Sequence, residues 1–320
     1  MNIVFFGTSE FAIASFRELL DSRHKILALV TQPDRKKGRN LKLSSSPTKV
    51  LAITKGVPVY QPDNVSSAEA INYLRKLNPD LFIVIAFGQI LKREALAIPK
   101  FYAVNLHGSL LPKYRGAAPT NWAIINGDKS SGVTVIRMNE KMDEGDIILK
   151  REVDIDEDDT NITLSEKLSG LGAKVLLEVI DSIENGKNIT FIKQDDNKAS
   201  LAPKLRKEDG LIDWNEEAVK IYNKIRGLLP WPGAYTHYNK RILKILQAEL
   251  MDSSMLGKMA EPGEVVNIIK GKGIIVRAGS GNLAIKYLQL EGKRNMTAGE
   301  FLRGTPISQL SFLTNSLKLR

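Results

Sequence analysis

The feature that most constrains this chain is a repeated change of apolar period over its first 150 residues, from short strand-like runs to helical spacing and back. Asn2–Phe6 is a short apolar run that ends at Gly7, and helical spacing follows from about Ser9 to Leu20, with Ile13, Phe16 and Leu20 on one face. Ile26–Val30 and Val57–Tyr60 read as further strands. Pro47 directly after Ser46 has the cap-then-proline order of a helix start. Ser66 and Glu69 have capping-box spacing ahead of a helix that buries Ile71, Leu74 and Leu77. Leu81–Ala86 is apolar throughout, which predicts a central parallel strand covered on both faces. Alternation of this kind predicts an α/β fold, a doubly wound and mostly parallel Rossmann-like sheet.

The same stretch excludes two common uses of that fold. Gly7-Thr8-Ser9-Glu10-Phe11-Ala12 lacks the second and third glycines of a pyrophosphate-binding turn, and no Walker A pattern occurs. Dinucleotide chemistry and P-loop phosphoryl transfer are therefore not expected. The chain has no cysteine, which removes disulfides, thiolate-bound metals and a thiol nucleophile. Its three histidines (His24, His107 and His237) make a multi-histidine metal site hard to assemble, and no metal is expected. The acidic run Asp154–Asp159 reads as a solvated loop before a helix from about Thr163 to Ile183. Thr163 and Glu166 would cap that helix, and Leu164, Leu168, Leu171, Val175, Val179 and Ile183 form its buried stripe. The N-terminus reads as a strand rather than a signal peptide, and Leu81–Phe87, the longest apolar run, is too short to span a bilayer. A soluble, cytoplasmic protein is expected.

From Lys187 to Asp209 the sequence is polar and irregular, like a linker. One helix pattern follows, Glu216–Arg226, then short β-rich runs at Arg241–Ala248, Gly263–Ile269, Gly273–Ala278 and Asn282–Leu290. These predict a small OB-like β-barrel. The expected organisation is an α/β domain over residues 1–188, a linker over 189–208 and a barrel domain over 209–320. The net charge is +10, and residues 204–320 carry 19 Lys and Arg against 11 Asp and Glu. A basic module beside a nearly neutral one suits a polyanion such as nucleic acid, although solubility alone would also account for it. A second basic stretch holds Arg35, Lys36, Lys37, Arg39, Lys42 and Lys49 with no acid from residue 35 to 49, and its glycine, serines and proline make it a loop. No exposed heptad suggests a dimer, so a monomer is expected.

The chemistry-bearing segment runs from Ala103 to Pro119. Ala103–Leu106 reads as a strand, and period-two alternation puts Asn105 and His107 on one face at its carboxyl end, where open α/β sheets hold ligands. An Asn amide can donate to a developing oxyanion and a His can donate or shuttle a proton. Downstream, Met142-Asp143-Glu-Gly-Asp146 is a loop between two strand patterns that can offer the imidazole a carboxylate. A turn or core histidine and an ordinary hairpin remain open as readings of these residues.

The segment Asn105-Leu-His-Gly-Ser-Leu-Leu-Pro-Lys-Tyr-Arg-Gly-Ala-Ala-Pro119, together with Met142-Asp-Glu-Gly145, resembles the folate-dependent formyltransferases. Supporting matches are Phe6-Gly-Thr8, Thr31-Gln-Pro-Asp-Arg35, Ile85-Ala-Phe-Gly-Gln-Ile-Leu91, Lys204-Leu-Arg-Lys-Glu208, Ile212-Asp-Trp214 and Pro230-Trp-Pro232. The resemblance implies transfer of a formyl group from 10-formyltetrahydrofolate to the α-amine of initiator methionyl-tRNA, with Asn105, His107 and Asp143 as the catalytic set. It implies folate contacts at Ser109, Leu110, Leu111 and Pro112 and at Gln89, Ile90 and Leu91. It also implies tRNA contacts at Arg39, Lys42, Lys204, Arg206 and Lys207. Two rival readings stay in view: a folate-linked enzyme acting on a small molecule or hydrolysing the formyl donor, and a non-catalytic RNA-binding protein. The basic C-terminal region argues against the first, and the intact Asn105, His107 and Asp143 against the second.

Overall fold

The computed structural model describes residues 1–37, 42–251, 260–305, 307 and 311–314. The chain forms two compact units. The first comprises Met1–Pro119, Ser130–Asp154 and Ser165–Pro203; the second comprises Thr120–Lys129, Ile155–Leu164 and Lys204–Arg320.

Strand β1 (Asn2–Gly7) leads through a single 3-10 turn into α1 (Ile13–Leu20) and β2 (Lys25–Val30). The basic stretch then forms part of a hairpin, β3 (Arg35–Lys37) with β4 (Lys42–Ser44). After it come α2 (Pro47–Thr54), β5 (Val59–Tyr60), α3 (Ala68–Lys76) and β6 (Leu81–Ile85). The chain continues through α4 (Arg93–Leu96), β7 (Ala103–His107), the two-residue β8 (Arg115–Gly116) and α5 (Pro119–Ile125). Next are β9 (Ser130–Arg137), β10 (Asp146–Asp154), α6 (Asn161–Glu184) and β11 (Leu201–Ala202).

Seven of these strands make the main sheet, in the order β10-β9-β7-β6-β1-β2-β5. The five from β7 to β5 run parallel, and β9 and β10 are added antiparallel at one side. Successive strands go one way from β1 to β2 and β5 and the other way to β6 and β7, so the sheet has a topological switch point beside β1. All five residues of β6 are buried, as a strand covered on both faces requires. Phe6 packs edge-on against Phe82 and Phe87, centroids 4.8 and 5.4 Å apart.

The helix starts show where local pattern and tertiary demand part. Ser46 caps α2 as its sequence predicts, accepting from the Lys49 N–H at 3.2 Å with Pro47 at the first position. At α3 the cap is Ser67, not Ser66. Ser66 is engaged elsewhere: its hydroxyl accepts from the Lys92 N–H and donates to the Ile90 carbonyl. Helix α6 starts at Asn161 rather than Thr163, because Thr160 and Thr163 each accept from the other's backbone N–H. Within the acidic run before it, Asp159 is buried, not solvated; it accepts from the Asp156 N–H and the Thr163 hydroxyl.

The second unit contains α7 (Ala218–Gly227) and the strands β12 (Ala234–Tyr238), β13 (Arg241–Met251), β14 (Val265–Ile269), β15 (Gly273–Arg277) and β16 (Asn282–Leu290). The short β17 (Met296–Thr297) and α8 (Ala298–Gly304) follow. The sheet is antiparallel in the order β12-β13-β16-β15-β14, with β17 on β16. Residues 311–314 bond to both of its edges. The Ser311 and Leu313 backbones pair with Val265 and Gly263, and Thr314 exchanges bonds of 3.0 and 3.1 Å with His237. That one segment bridges the start of the β14 edge and His237 of β12, as the curling of the sheet toward a barrel requires. Trp214 lies in the core, its indole N–H donating to the Thr236 hydroxyl at 3.0 Å, among Ile221, Ile245, Leu288 and Phe301. No helix among the described residues is long and apolar enough to cross a membrane.

Candidate active site

Strand β7 places Asn105 and His107 together. It lies between β6 and β9, with Asn105 opposite Val84 and Ile136 and His107 opposite Thr134. The two side chains behave differently. Among the described residues the Asn105 carboxamide makes no hydrogen bond, and its Oδ1 is buried without a partner. His107 is 7% exposed, and its Nε2 lies 2.8 Å from the Tyr114 carbonyl. A carbonyl only accepts, so Nε2 carries the hydrogen and Nδ1 is the nitrogen left for other work. Nδ1 faces the Asp143 carboxylate at 3.7 Å, too far for a hydrogen bond and near enough for a charge pair when the ring is protonated.

Asp143 is held from several directions. Its Oδ2 accepts from the Gly116 N–H at 2.9 Å, which ties it to β8. Its backbone lies in the left-handed region at φ 56°, which is uncommon for a non-glycine residue and which an Asp tolerates better than most. The Asp143 carbonyl and the Gly145 carbonyl both accept from Gln194 Nε2, at 2.7 and 2.8 Å. Gln194 Oε1 accepts in turn from Arg115 Nε at 3.0 Å, and Arg115 Nη2 donates to Asp196 at 2.8 Å. Arg115 keeps the Asp196 carboxyl below its ordinary range, first through that hydrogen bond and then through charge.

The chain between His107 and β8 is a pinned turn. The Ser109 hydroxyl donates to the Lys113 carbonyl at 2.6 Å, and Thr134 Oγ1 donates to the Ser109 carbonyl while accepting from the Leu111 N–H. Ser109 and Leu111 are fully buried; Leu110 and Pro112 are partly exposed. In the loop after β6, Gln89 has its amide engaged at both ends, accepting from Val65 N–H and donating to the Pro62 carbonyl. Ile90 is 65% exposed and Leu91 is buried.

An open cleft of about 330 Å³ lies at the carboxyl ends of β1, β2 and β6, at the switch point, lined by Thr8, Ser9, Gln32, Ser46, Phe87 and Gly88 among others. Thr8 and Gln32 both donate to the Phe87 carbonyl and so fix its rim. Sequence reasoning met both only inside matching segments and gave neither a role in the site, although a position just beyond a parallel strand is the signal that would have found them.

The basic residues are distributed as follows. Arg39 lies outside the described residues, and Lys42 is described only as backbone, paired with Lys37. Lys49 is already engaged, its Nζ 2.7 Å from both Asp34 and Gln61. Lys204, Arg206 and Lys207, in the second unit, are exposed and form no ion pair among the described residues. One group with metal-ligand spacing occurs among the described residues, His24 with Asp181 and Glu184. Its carboxylates already pair with Arg23 and with the Met1 amine.

The sequence pattern of the formyl transferase family matches residues 1–180, and that of the formyl transferase C-terminal domain matches residues 204–306. The chain belongs to the formyl transferase family. It is 46% identical over 304 residues to the methionyl-tRNA formyltransferase of Citrifermentans bemidjiense, covering 95% of this chain and 93% of that protein. It is also 46% identical over 315 residues to the methionyl-tRNA formyltransferase of Caldanaerobacter subterraneus subsp. tengcongensis, covering 98% and 100%. Among solved structures, the sugar 3N-formyl transferase WlaRD superposes with a TM-score of 0.66 at 21% identity over 92% of this chain and 99% of that one. HypX from Aquifex aeolicus superposes with a TM-score of 0.65 at 18% identity over 98% of this chain, which spans only 50% of that protein. These two similarities are of fold alone.

Proposed function

We propose that this chain transfers the formyl group of 10-formyltetrahydrofolate to the α-amine of initiator methionyl-tRNA. The similarity to methionyl-tRNA formyltransferases along nearly the whole chain supports the acceptor. WlaRD was solved with 5-N-formyl-THF and HypX with tetrahydrofolic acid, which supports a folate donor on this fold. The observation that carries the reading is the unspent Asn105 carboxamide beside His107 and Asp143.

An α-amine titrates near about 8, so a useful fraction is neutral and nucleophilic at physiological pH. Its attack on the formyl carbon puts negative charge on the formyl oxygen. Asn105 Nδ2 donates to that oxygen, and its buried Oδ1 accepts from the attacking N–H. Protonated His107 presents Nδ1–H, with Asp143 stabilising the cation. The Nδ1 proton passes to the folate nitrogen as the bond from the formyl carbon to that nitrogen breaks, and the proton lost by the amine returns to the freed Nδ1 beside Asp143. Loss of one oxyanion donor costs on the order of 10²–10³ in rate. No step draws on a metal.

Ser109, Leu110, Leu111 and Pro112 with Gln89, Ile90 and Leu91 would border the folate, chiefly through backbone groups, since the Ser109 and Gln89 side chains are already bonded within the protein. Arg39, Lys42, Lys204, Arg206 and Lys207 would contact the tRNA. Residues 1–188 would form the catalytic domain and 209–320 a tRNA-binding domain, joined through 189–208, in a cytoplasmic monomer. The test is formyl transfer to charged methionyl-tRNA, with uncharged tRNA and glycinamide ribonucleotide as controls. His107→Ala should abolish transfer with tRNA affinity kept within a few-fold. Transfer to glycinamide ribonucleotide instead, or salt-sensitive tRNA binding without any transfer, would overturn the proposal.

A further inference from the structure

We propose that Gln194 is a positioning residue for the reaction, acting through Asp143; this rests on the role given to Asp143 above. Gln194 sits in the irregular segment between α6 and β11, far in sequence from the loop it holds, and is 7% exposed. Its amide nitrogen donates to the carbonyls of Asp143 and Gly145, so both N–H groups are used on the two ends of one turn. Its oxygen accepts from Arg115. This arrangement has one orientation. Exchanging the amide oxygen and nitrogen would set an oxygen against two carbonyls and an NH2 against a guanidinium, three like-facing contacts in place of three hydrogen bonds.

The turn needs this hold. Asp143 has φ 56°, in a region that costs a non-glycine residue free energy, and the Asp143–Gly145 turn follows the end of β9 with the carboxylate directed at His107 Nδ1 from 3.7 Å. Gly116 fixes the carboxylate and Gln194 fixes the backbone that carries it. Without Gln194 one buried and one partly buried carbonyl lose their donor, and the turn is free to relax toward an unstrained φ, which swings the carboxylate away from the ring. Arg115, paired with Asp196, secures Gln194 in the same way that Gln194 secures the turn.

The experiment is a double-mutant cycle in the full chain, with Gln194→Met, Asp143→Asn and the pair, each assayed for kcat and for KM toward methionyl-tRNA and 10-formyltetrahydrofolate. Met keeps the side-chain volume and removes the hydrogen bonds. Gln194→Met should lower kcat by 10-fold or more with both KM values within twofold, and should lower it by less than twofold further in the Asp143→Asn background. Gln194→Glu, which keeps an acceptor for Arg115 but opposes oxygen to both carbonyls, should lose kcat at least as far. The proposal is overturned by a Gln194→Met kcat within twofold of wild type, or by an undiminished Gln194 effect when Asp143 is already replaced. A wild-type kcat in Asp143→Asn alone would instead remove the role assigned to Asp143. If Gln194→Met melts far below wild type, Gln194→Glu carries the same cycle.

Discussion

Gly145→Ala tests why a glycine closes the Met-Asp-Glu-Gly motif. Gly145 is outside the left-handed region, so backbone conformation is not the reason. The reason is space: a Cβ at this position would lie 1.9 Å from the Arg137 carbonyl oxygen, where ordinary contact begins at 3.4 Å. The turn would have to move by the difference, 3.4 less 1.9, or about 1.5 Å, against a strand backbone that closes the same hairpin and cannot give as a side-chain tip would. Overpacking of this kind typically costs about 1–3 kcal/mol. The larger effect falls on rate, because Asp143 lies two residues away in the same turn and Gly145 also supplies one of the carbonyls held by Gln194. A displacement of about 1 Å in a positioned group can cost about 10²-fold. The expected outcome is a kcat lowered by roughly that factor with KM for tRNA little changed, alongside a moderately lower melting temperature. The assay is steady-state formyl transfer at saturating folate, paired with a thermal melt. A kcat within threefold of wild type in a variant whose melting temperature has fallen would show that the turn can move without consequence, and would refute the argument.

Gly116→Ala should also be destabilising, by about 1–3 kcal/mol from the strained conformation alone, because φ there is 127° and a Cβ would meet the Ala202 carbonyl at 2.5 Å; denaturant unfolding checks it, and an unchanged midpoint refutes it. Glu300 is held down to about 2 by the Thr297 backbone N–H first, then by the Arg294 guanidinium. A depressed carboxyl stabilises the fold above its ordinary value of 4.5 and loses that contribution as pH falls toward 2, so the melting deficit of Glu300→Gln at pH 7 should shrink below pH 4.5 and vanish near pH 2. A deficit constant across that window would sink the assignment. Replacing Lys204, Arg206 and Lys207 together by Ala should reduce the slope of log affinity for tRNA against log salt by about 2–3; an unchanged slope in filter binding would show that none of the three meets phosphate.

How much of this was legible in the sequence follows from what each feature depends on. The parallel core was readable because burial on both faces leaves a local signature, as in Leu81–Ile85, and because helix starts such as Ser46-Pro47 are local chemistry. Ser66 misled because tertiary bonds to Ile90 and Lys92 engage its hydroxyl, and Thr163 because its local exchange of bonds with Thr160 moves the helix start, and periodicity registers neither. Asn105 and His107 could be placed on one strand face by alternation, and Asp143 in a loop between strands, but no local pattern joins 107 to 143. Gln194 was invisible altogether. Its surroundings are polar and irregular, and its role exists only where the chain returns to the β9–β10 turn. The segment that bridges the two sheet edges was missed for a similar reason, since residues 311–314 form isolated bridges too short to show a period.

The hydrogen-bond accounting around β7 separates scaffold from chemistry. Ser109, Thr134, Gln194 and Arg115 are buried polar side chains with partners inside the protein, and His107 Nε2 is fixed by Tyr114. Groups bonded in this way define positions and have little left to offer a substrate. Asn105 stands apart, since an orphaned buried acceptor costs about 1–3 kcal/mol and is retained only where something else supplies the missing donor. Tyr114 and Gly116 hold the His107 ring and the Asp143 carboxylate in place beside that unspent amide, so under the proposed reaction the charge that develops during transfer would meet groups already positioned. On the proposed mechanism the reaction would depend on residues that never touch it, and substitutions at Gly116, Gly145 and Gln194 should reveal this more clearly than substitutions at the exposed lysines.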